Sequence, residues 1–354
     1  MKKAVFFDPY LDTLGGGERY TLTFARILLD EGWQVSLLWK KDDILKKAEE
    51  RFNLNLGKIE IFPLEILNNS LTQKYHFFKD YQLYFHLSDG SVPLMFAQKN
   101  LLHFQVPFKK TGGRSFSNRL KLKLVNEVVC NSFFTKKIID KEFGVESQVL
   151  YPPVAVEDFY NHEQKEKVIL AVGRFEQTMQ AKKQDVLVEV FKKMVDSGLR
   201  DWQLVLAGAS LSEEGENEFL GRLKKEANGY PVSFMVNIPF QELKKLYWQA
   251  AIFWHAAGFG VNEKENPEKV EHFGMTTIEA IAAGCWPLVY EAGGQREIFA
   301  SFPQKNLCLW HSQEELAAKT LAVIENQPSN KELSSLAKKF SVESFAENVK
   351  KIIY

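Results

Sequence analysis

The sequence predicts a doubly wound α/β protein with two parallel-sheet domains, and three features carry that expectation. Short apolar runs alternate with helical patterns, which is how a parallel sheet covered by helices is written. The alternation stops at a polar stretch near the middle and then restarts. The chain has 354 residues, enough for two domains at about 150 residues each.

In the first half, Lys3 to Phe7, Gln34 to Trp39, Lys58 to Phe62, Tyr81 to Leu87, Asn100 to Phe104 and Glu127 to Asn131 read as strands. Glu18 to Asp30 and Ser132 to Glu142 carry helical patterns between them. After Tyr151-Pro152-Pro153, the stretch Glu157 to Lys167 has turn formers and no apolar periodicity, so a linker is expected over 151–166. Strands then resume at Val168 to Val172, Gln203 to Ala207, Val232 to Val236, Ala251 to Trp254, Trp286 to Val289 and Leu307 to Trp310. Helical patterns cover Asp185 to Val195, Ser312 to Ile324, Lys331 to Lys339 and Val342 to Ile353. The expected domains are 1–150 and 167–335, both Rossmann-like, with 336–354 packing back across the linker.

Lys plus Arg equals Asp plus Glu at 45 each, so no global field gathers nucleic acid, and any anion site is local. Cys130, Cys285 and Cys308 are odd in number and far apart, which argues against a disulfide framework or a zinc site and for a reducing compartment. The apolar run Ala4 to Phe7 ends at Asp8-Pro9, too short for an export signal. No apolar stretch reaches the ~18 residues that span a bilayer. The expectation is a cytoplasmic protein, soluble or peripheral at the inner membrane face.

Several loops have the chemistry to hold a phosphate. The first strand leads through Gly15-Gly16-Gly17 into a helix, whose orphan N–H groups and positive dipole end favour an anion. The spacing is not G-x-G-x-x-G, and Asp42 beyond the second strand leaves a nicotinamide site open but weak. Val168 to Val172 ends in Gly173-Arg174, and Lys182 precedes the next helix, so two cations fall at the carboxyl edge of a parallel sheet. Taken singly, each is equally an ordinary solvated charge. Glu279 sits among Ile278, Ala280, Ile281, Ala282 and Ala283, a helix apolar on nearly all sides, and a carboxylate there needs donors, which ligand hydroxyls can supply. Glu271, by position alone, is an ordinary surface acid. His103 closes an apolar strand and is either a hydrogen-bonded core residue or a cleft residue. Gly293-Gly294 offers further amides, either to phosphate or as a helix cap.

In order and spacing, these pieces resemble the retaining family-4 glycosyltransferases of the GT-B fold, with their E-x7-E motif. The residues that carry the likeness are Gly15 to Glu18, His103, Val128 to Thr135, Gly173-Arg174, Lys182, Glu271 to Glu279, and Gly293-Gly294 with Glu297. The resemblance implies two Rossmann-like domains facing a cleft and a nucleotide-diphosphate sugar as donor. It implies that Arg174 and Lys182 hold the diphosphate next to Gly173, that Glu279 binds the ribose, and that Glu271 holds the transferred sugar. The amides of Gly274, Met275 and Thr276, beside Phe273, would complete the phosphate pocket. Gly16 and Gly17 would face that pocket and His103 would contact the sugar. It also implies retention of anomeric configuration and no metal or other cofactor, and the absence of a D-x-D pair agrees with that.

Two departures stand out. Seven residues separate Arg174 from Lys182, which leaves Lys183 as an alternative phosphate ligand, and Val261 to Val270 is a polar insertion before Glu271. The EHFG ending is similar to that of mannosyltransferase-like members. Finally, 108–123 holds Lys109, Lys110, Arg114, Arg119, Lys121 and Lys123 and no acid, interleaved with Phe108, Phe116, Leu120 and Leu122. That pattern suits an anionic membrane or a lipid diphosphate acceptor, or else a solvated helix face. The expected function is sugar transfer to a glycan or lipid-linked acceptor in surface polysaccharide or glycoconjugate synthesis. The alternatives are a catalytically silent nucleotide-sugar-binding subunit and, less well supported, an NAD-dependent dehydrogenase.

Overall fold

The computed structural model describes residues 1–40, 43–160, 164–177, 180–210, 217–326, 328–329 and 331–354, the side chain of residue 334 excepted. Asp42 lies outside the described residues. The chain divides into two compact units, Met1–Pro153 with Val342–Tyr354, and Val154–Ser341.

The first unit is a seven-stranded sheet of β1 (Lys3–Phe7), β2 (Gln34–Leu38), β3 (Glu60–Phe62), β4 (Leu83–Leu87), β5 (Lys99–Phe104), β6 (Glu127–Cys130) and β7 (Gln148–Val149). All neighbours are parallel, in the order β3-β2-β1-β4-β5-β6-β7. Buried on both faces, the strands read as near-continuous apolar runs, which is why sequence located them well. Phe6 stacks on Phe85 at 5.2 Å, the helix Gly16–Asp30 adds Tyr20 and Phe24, and the last helix, Val342–Ile353, brings Phe345 against Tyr20 at 4.9 Å.

The second unit is a six-stranded parallel sheet of β8 (Glu166–Val172), β9 (Gln203–Gly208), β10 (Val232–Val236), β11 (Ala250–His255), β12 (Trp286–Tyr290) and β13 (Leu309–Trp310), ordered β10-β9-β8-β11-β12-β13. In both units the order reverses beside the first strand, between β1 and β4 and between β8 and β11. Such a reversal opens a crevice at the carboxyl ends of the strands, where doubly wound sheets bind ligands. The fold class is thus the expected pair of Rossmann-like domains.

Two boundaries differ from expectation. The second unit takes up most of the expected linker, because Val156 and Phe159 are fully buried and Phe159 packs on Tyr247 at 5.3 Å. The helix Lys331–Lys338 also belongs to the second unit, against the helix Met275–Ala282, and the chain rejoins the first unit at Val342. Leu307 and Cys308, expected in a strand, form the end of a short helix, Lys305–Cys308.

Candidate active site

The second unit gathers most of the expected residues at its topological switch point. β8 ends at Gly173-Arg174, and β11, its neighbour across the reversal, ends at His255. Close backbone approach builds the floor. A Cβ on Gly208 would lie 1.9 Å from the Gly173 carbonyl oxygen, and one on Gly173 would lie 2.4 Å from Lys182 Cγ. Glycine at both positions therefore lets the Lys182 stem cross the end of the sheet. Gln184 Nε2 donates to the carbonyls of Gly173 and Arg174 at 3.2 and 3.0 Å, which fixes the loop. Lys183 takes the left-handed conformation at φ 56° as it leads into the helix Gln184–Asp196. Lys182 is the lysine that reaches the acidic motif, while Arg174 is exposed and its guanidinium has no acceptor among the described residues.

Lys182 Nζ donates to Glu271 Oε2 at 2.6 Å, and both side chains are largely buried. Burial pushes the Glu271 carboxyl up, but the Lys182 charge and the proximity of His255 outweigh it and hold the group well below the ordinary carboxylate range. His255 Nε2 lies 3.2 Å from Glu271 Oε2 without the alignment of a full hydrogen bond. Its Nδ1 accepts from Gln295 Nε2 at 3.1 Å, which places the ring proton on Nε2, toward the carboxylate. Burial lowers the His255 pKa against the pull of Glu271, so the ring is neutral at pH 7. Neither His255 nor Gln295 was singled out from sequence as chemistry. A histidine at the carboxyl end of a parallel strand was the available signal for the first.

Gly274 precedes the helix Met275–Ala282 at φ 113°, a conformation favouring glycine, and a Cβ there would lie 2.7 Å from Gln295 Oε1. The amides of Thr277 and Ile278 bond the Gly274 carbonyl, leaving those of Met275 and Thr276 without an acceptor among the described residues. Further along, Glu279 is 7% exposed, as the apolar helix predicts. One of its donors is internal, since Tyr247 Oη donates to Glu279 Oε2 at 2.9 Å. Tyr247 comes from the helix Phe240–Gln249, and sequence did not point to it.

In this unit one expected residue is turned into the core, and one pair of amides is already engaged. The Phe273 ring is buried against Phe340 at 5.4 Å, so it serves the core rather than a donor pocket. The Gly293 and Gly294 amides already donate, to Glu263 Oε2 at 3.0 Å and to the Glu271 carbonyl at 2.9 Å, which makes that turn a brace for the motif. Glu263 also pairs with Arg296 at 3.0 Å, which ties down the polar insertion before Glu271.

The first unit brings its expected residues together differently. Glu18 Oε2 accepts from the Gly15 amide at 2.5 Å, and buried Asp8 accepts from Thr21 Oγ1 at 2.8 Å and from the Tyr10 amide at 3.0 Å. Two carboxylates thus lie beside the loop where Gly16 and Gly17 were expected to meet a phosphate, and Glu18 already engages the Gly15 amide. Burial, then Glu18, raise the Asp8 pKa to about 7. Gly17 is covered by Gln105, whose Nε2 donates to the Gly17 carbonyl at 3.2 Å. His103 has no exposed surface: its ring stacks on Tyr20 at 4.1 Å and Nδ1 donates to the Val129 carbonyl at 3.1 Å. Desolvation lowers its pKa to about 3, and Nε2 has no partner among the described residues. In this arrangement His103 is packed as a core residue.

Comparison with known proteins gives these sites a context. Residues 156–340 match the family described as glycosyl transferases group 1. The chain belongs to that family. The match covers just over half of the chain and includes every site residue of the second unit. Among relatives of this group 1 glycosyl transferase, the GDP-Man:Man(3)GlcNAc(2)-PP-Dol alpha-1,2-mannosyltransferases of Xenopus laevis and Homo sapiens are each 30% identical, over 162 and 164 residues. Each match covers 42% of this chain and 30% of the relative, so the likeness spans under a third of those proteins. Among solved structures, a glycosyltransferase from Rickettsia africae ESF-5 superposes with a TM-score of 0.78 at 18% identity, covering 99% of this chain and 97% of that one. Anabaena HepE in complex with UDP and glucose does so with a TM-score of 0.71 at 16% identity, covering 100% and 99%. At these identities the superpositions speak for the fold.

Proposed function

We propose that the protein transfers a hexose, with mannose the leading candidate, from a nucleotide-diphosphate sugar to a glycan or lipid-linked acceptor. The anomeric configuration is kept and no divalent metal takes part. The observation that carries this reading is the Lys182–Glu271 pair, together with exposed Arg174 and the first-turn amides of Met275 and Thr276, which have no acceptor among the described residues. Fixed cations and helix-end amides are what a leaving diphosphate requires, and a water-poor site strengthens both.

In this mechanism the diphosphate takes over the Lys182 ammonium, with Arg174 as its second cation. Glu271, relieved of its partner, accepts from the hydroxyls of the transferred sugar. Glu279, oriented by Tyr247, accepts from the ribose. Neutral His255 holds Glu271 from behind without adding charge. The alpha-1,2-mannosyltransferase relatives support mannose as the sugar and a lipid-linked glycan as the acceptor, although the match spans only part of their length. A role in surface polysaccharide or glycoconjugate synthesis follows from that acceptor class.

The test is to incubate the protein with GDP-mannose, and separately UDP-glucose, in EDTA, with lipid-linked and free oligosaccharide acceptors, and to assign the product anomer by NMR. Transfer of the α-linked sugar under chelation is expected. Transfer that requires added magnesium, or an inverted product, refutes the mechanism.

A further inference from the structure

The helix Phe116–Leu122 carries apolar residues on two faces. On its inner side half-buried Leu122, followed by half-buried Val125, packs against the cluster of Phe104, Ile139 and Phe143. On its outer side, which no described element covers, Phe116 is 79% exposed and Leu120 48%, and Leu124 just past the helix is 39% exposed. Phe116 and Leu120 fall four apart on one helix stripe, and Leu124 follows in the turn after the helix. Arg119 and Lys123 flank the stripe, with Lys121 beside them, and Lys109 and Lys110 precede it.

Next to the stripe is a hollow of about 430 Å³, lined by Arg114, Arg119, Leu122, Lys123, Phe143, Gly144 and Val145. Three cations and an apolar floor line it, and no acid does. Arg114 is held over it, its Nε donating to the Lys141 carbonyl at 3.0 Å across Gly144. Of the two acids that flank the lining segment in sequence, Glu142 is turned to the backbone, accepting from the Thr111 amide at 2.8 Å, and Glu146 is exposed.

We propose that this face docks on an anionic lipid bilayer, with Phe116, Leu120 and Leu124 entering the acyl boundary and a lipid phosphate seated in the Arg114–Arg119–Lys123 hollow. The charge pattern selects this occupant. A second copy of the chain meeting the face symmetrically would set cations against cations, whereas an anionic leaflet complements them and offers apolar depth beside its phosphates. The inference rests on the first unit alone and does not depend on which sugar or donor the second unit takes.

Flotation of the full chain with phosphatidylglycerol/phosphatidylcholine vesicles, and with phosphatidylcholine alone, tests it at physiological salt. Binding to the anionic vesicles only is expected. The variant Arg119→Gln/Lys121→Gln/Lys123→Gln should bind on the order of a hundredfold more weakly. Phe116→Ser/Leu120→Ser, both at exposed positions that leave the core intact, should bind at least about tenfold more weakly. Several results overturn the proposal: no vesicle binding, equal binding to neutral vesicles, or binding that ignores the apolar substitutions. Saturable binding of inorganic phosphate without vesicle binding, or self-association abolished by the same substitutions, overturns it as well.

Discussion

Two glycine-lined loops occupy equivalent places in the two sheets, each after a first strand beside the reversal of strand order, and the carboxylates beside them are held in different states. After β8, Gly173 leads to Arg174 and Lys182, and the carboxylate they attend, Glu271, is held ionised. After β1, Gly15–Gly17 lies beside Asp8 and Glu18 with no cation paired to Asp8 among the described contacts, and Asp8 is pushed toward neutrality. The comparison teaches that a glycine loop before a helix is only a shape. The charges placed around it decide whether it takes an anion.

The contrast is most easily broken at Lys182. Lys182→Ala should lower the rate of sugar transfer about a hundredfold, roughly 3 kcal/mol of barrier. It should also destabilise the second unit by about 3 kcal/mol, because Glu271 is left as a buried, unpaired charge. Lys182→Met/Glu271→Gln should regain most of that stability without regaining activity, measured by urea denaturation alongside the transfer assay.

Asp8→Asn should have the next largest effect, with the opposite sign. A carboxyl whose folded pKa is raised loses stability as pH climbs from its unfolded value of about 4 toward 7. The Asp8→Asn variant should therefore gain on the order of 3 kcal/mol over the parent at pH 8 relative to pH 4. Glu271, with its pKa depressed, behaves conversely: its contribution is present above about pH 4.5 and is lost as pH falls through its lowered folded value. Denaturation curves at pH 4, 6 and 8 for Asp8→Asn and Glu271→Gln should diverge in opposite directions.

The backbone offers a finer comparison. Gly208→Ala places a methyl on the Gly173 carbonyl, which cannot yield, and should cost about 2 kcal/mol. At Gly17 the obstacle is the end of the Gln105 side chain, which can swing away, so Gly17→Ala should cost under about 1 kcal/mol. Tyr247→Phe should be intermediate in stability, at about 1.5 kcal/mol, since Glu279 loses a buried donor. It should raise KM for the donor more than it lowers kcat, if Glu279 binds the ribose.

Much of the fold was legible because strands buried on both faces are apolar throughout and the breaks between them are polar. Val232 to Val236 and Val342 to Ile353 were placed to the residue. The domain boundary slipped because the polar linker hides Val156 and Phe159, whose burial depends on Tyr247 far along the chain. In the site, Lys182 stood out as a charge at a sheet edge and Glu279 as one inside an apolar helix, whereas Glu271 was marked only by its motif. Tyr247, Gln295 and the Glu263–Arg296 brace did not, because each contact joins segments about thirty residues or more apart, and no local pattern records it. His103 and Phe273 looked like ligands by motif and proved to be packed rings, since spacing does not report which way a side chain turns.

The most direct test is calorimetric titration of the intact protein with GDP, UDP and ADP in EDTA, repeated for Arg174→Ala and Lys182→Ala. Fixed cations predict that at least one diphosphate binds under chelation, and that each substitution weakens it tenfold or more, about 1.4 kcal/mol. Affinity that appears only with magnesium, or that survives the loss of both cations, would contradict the account.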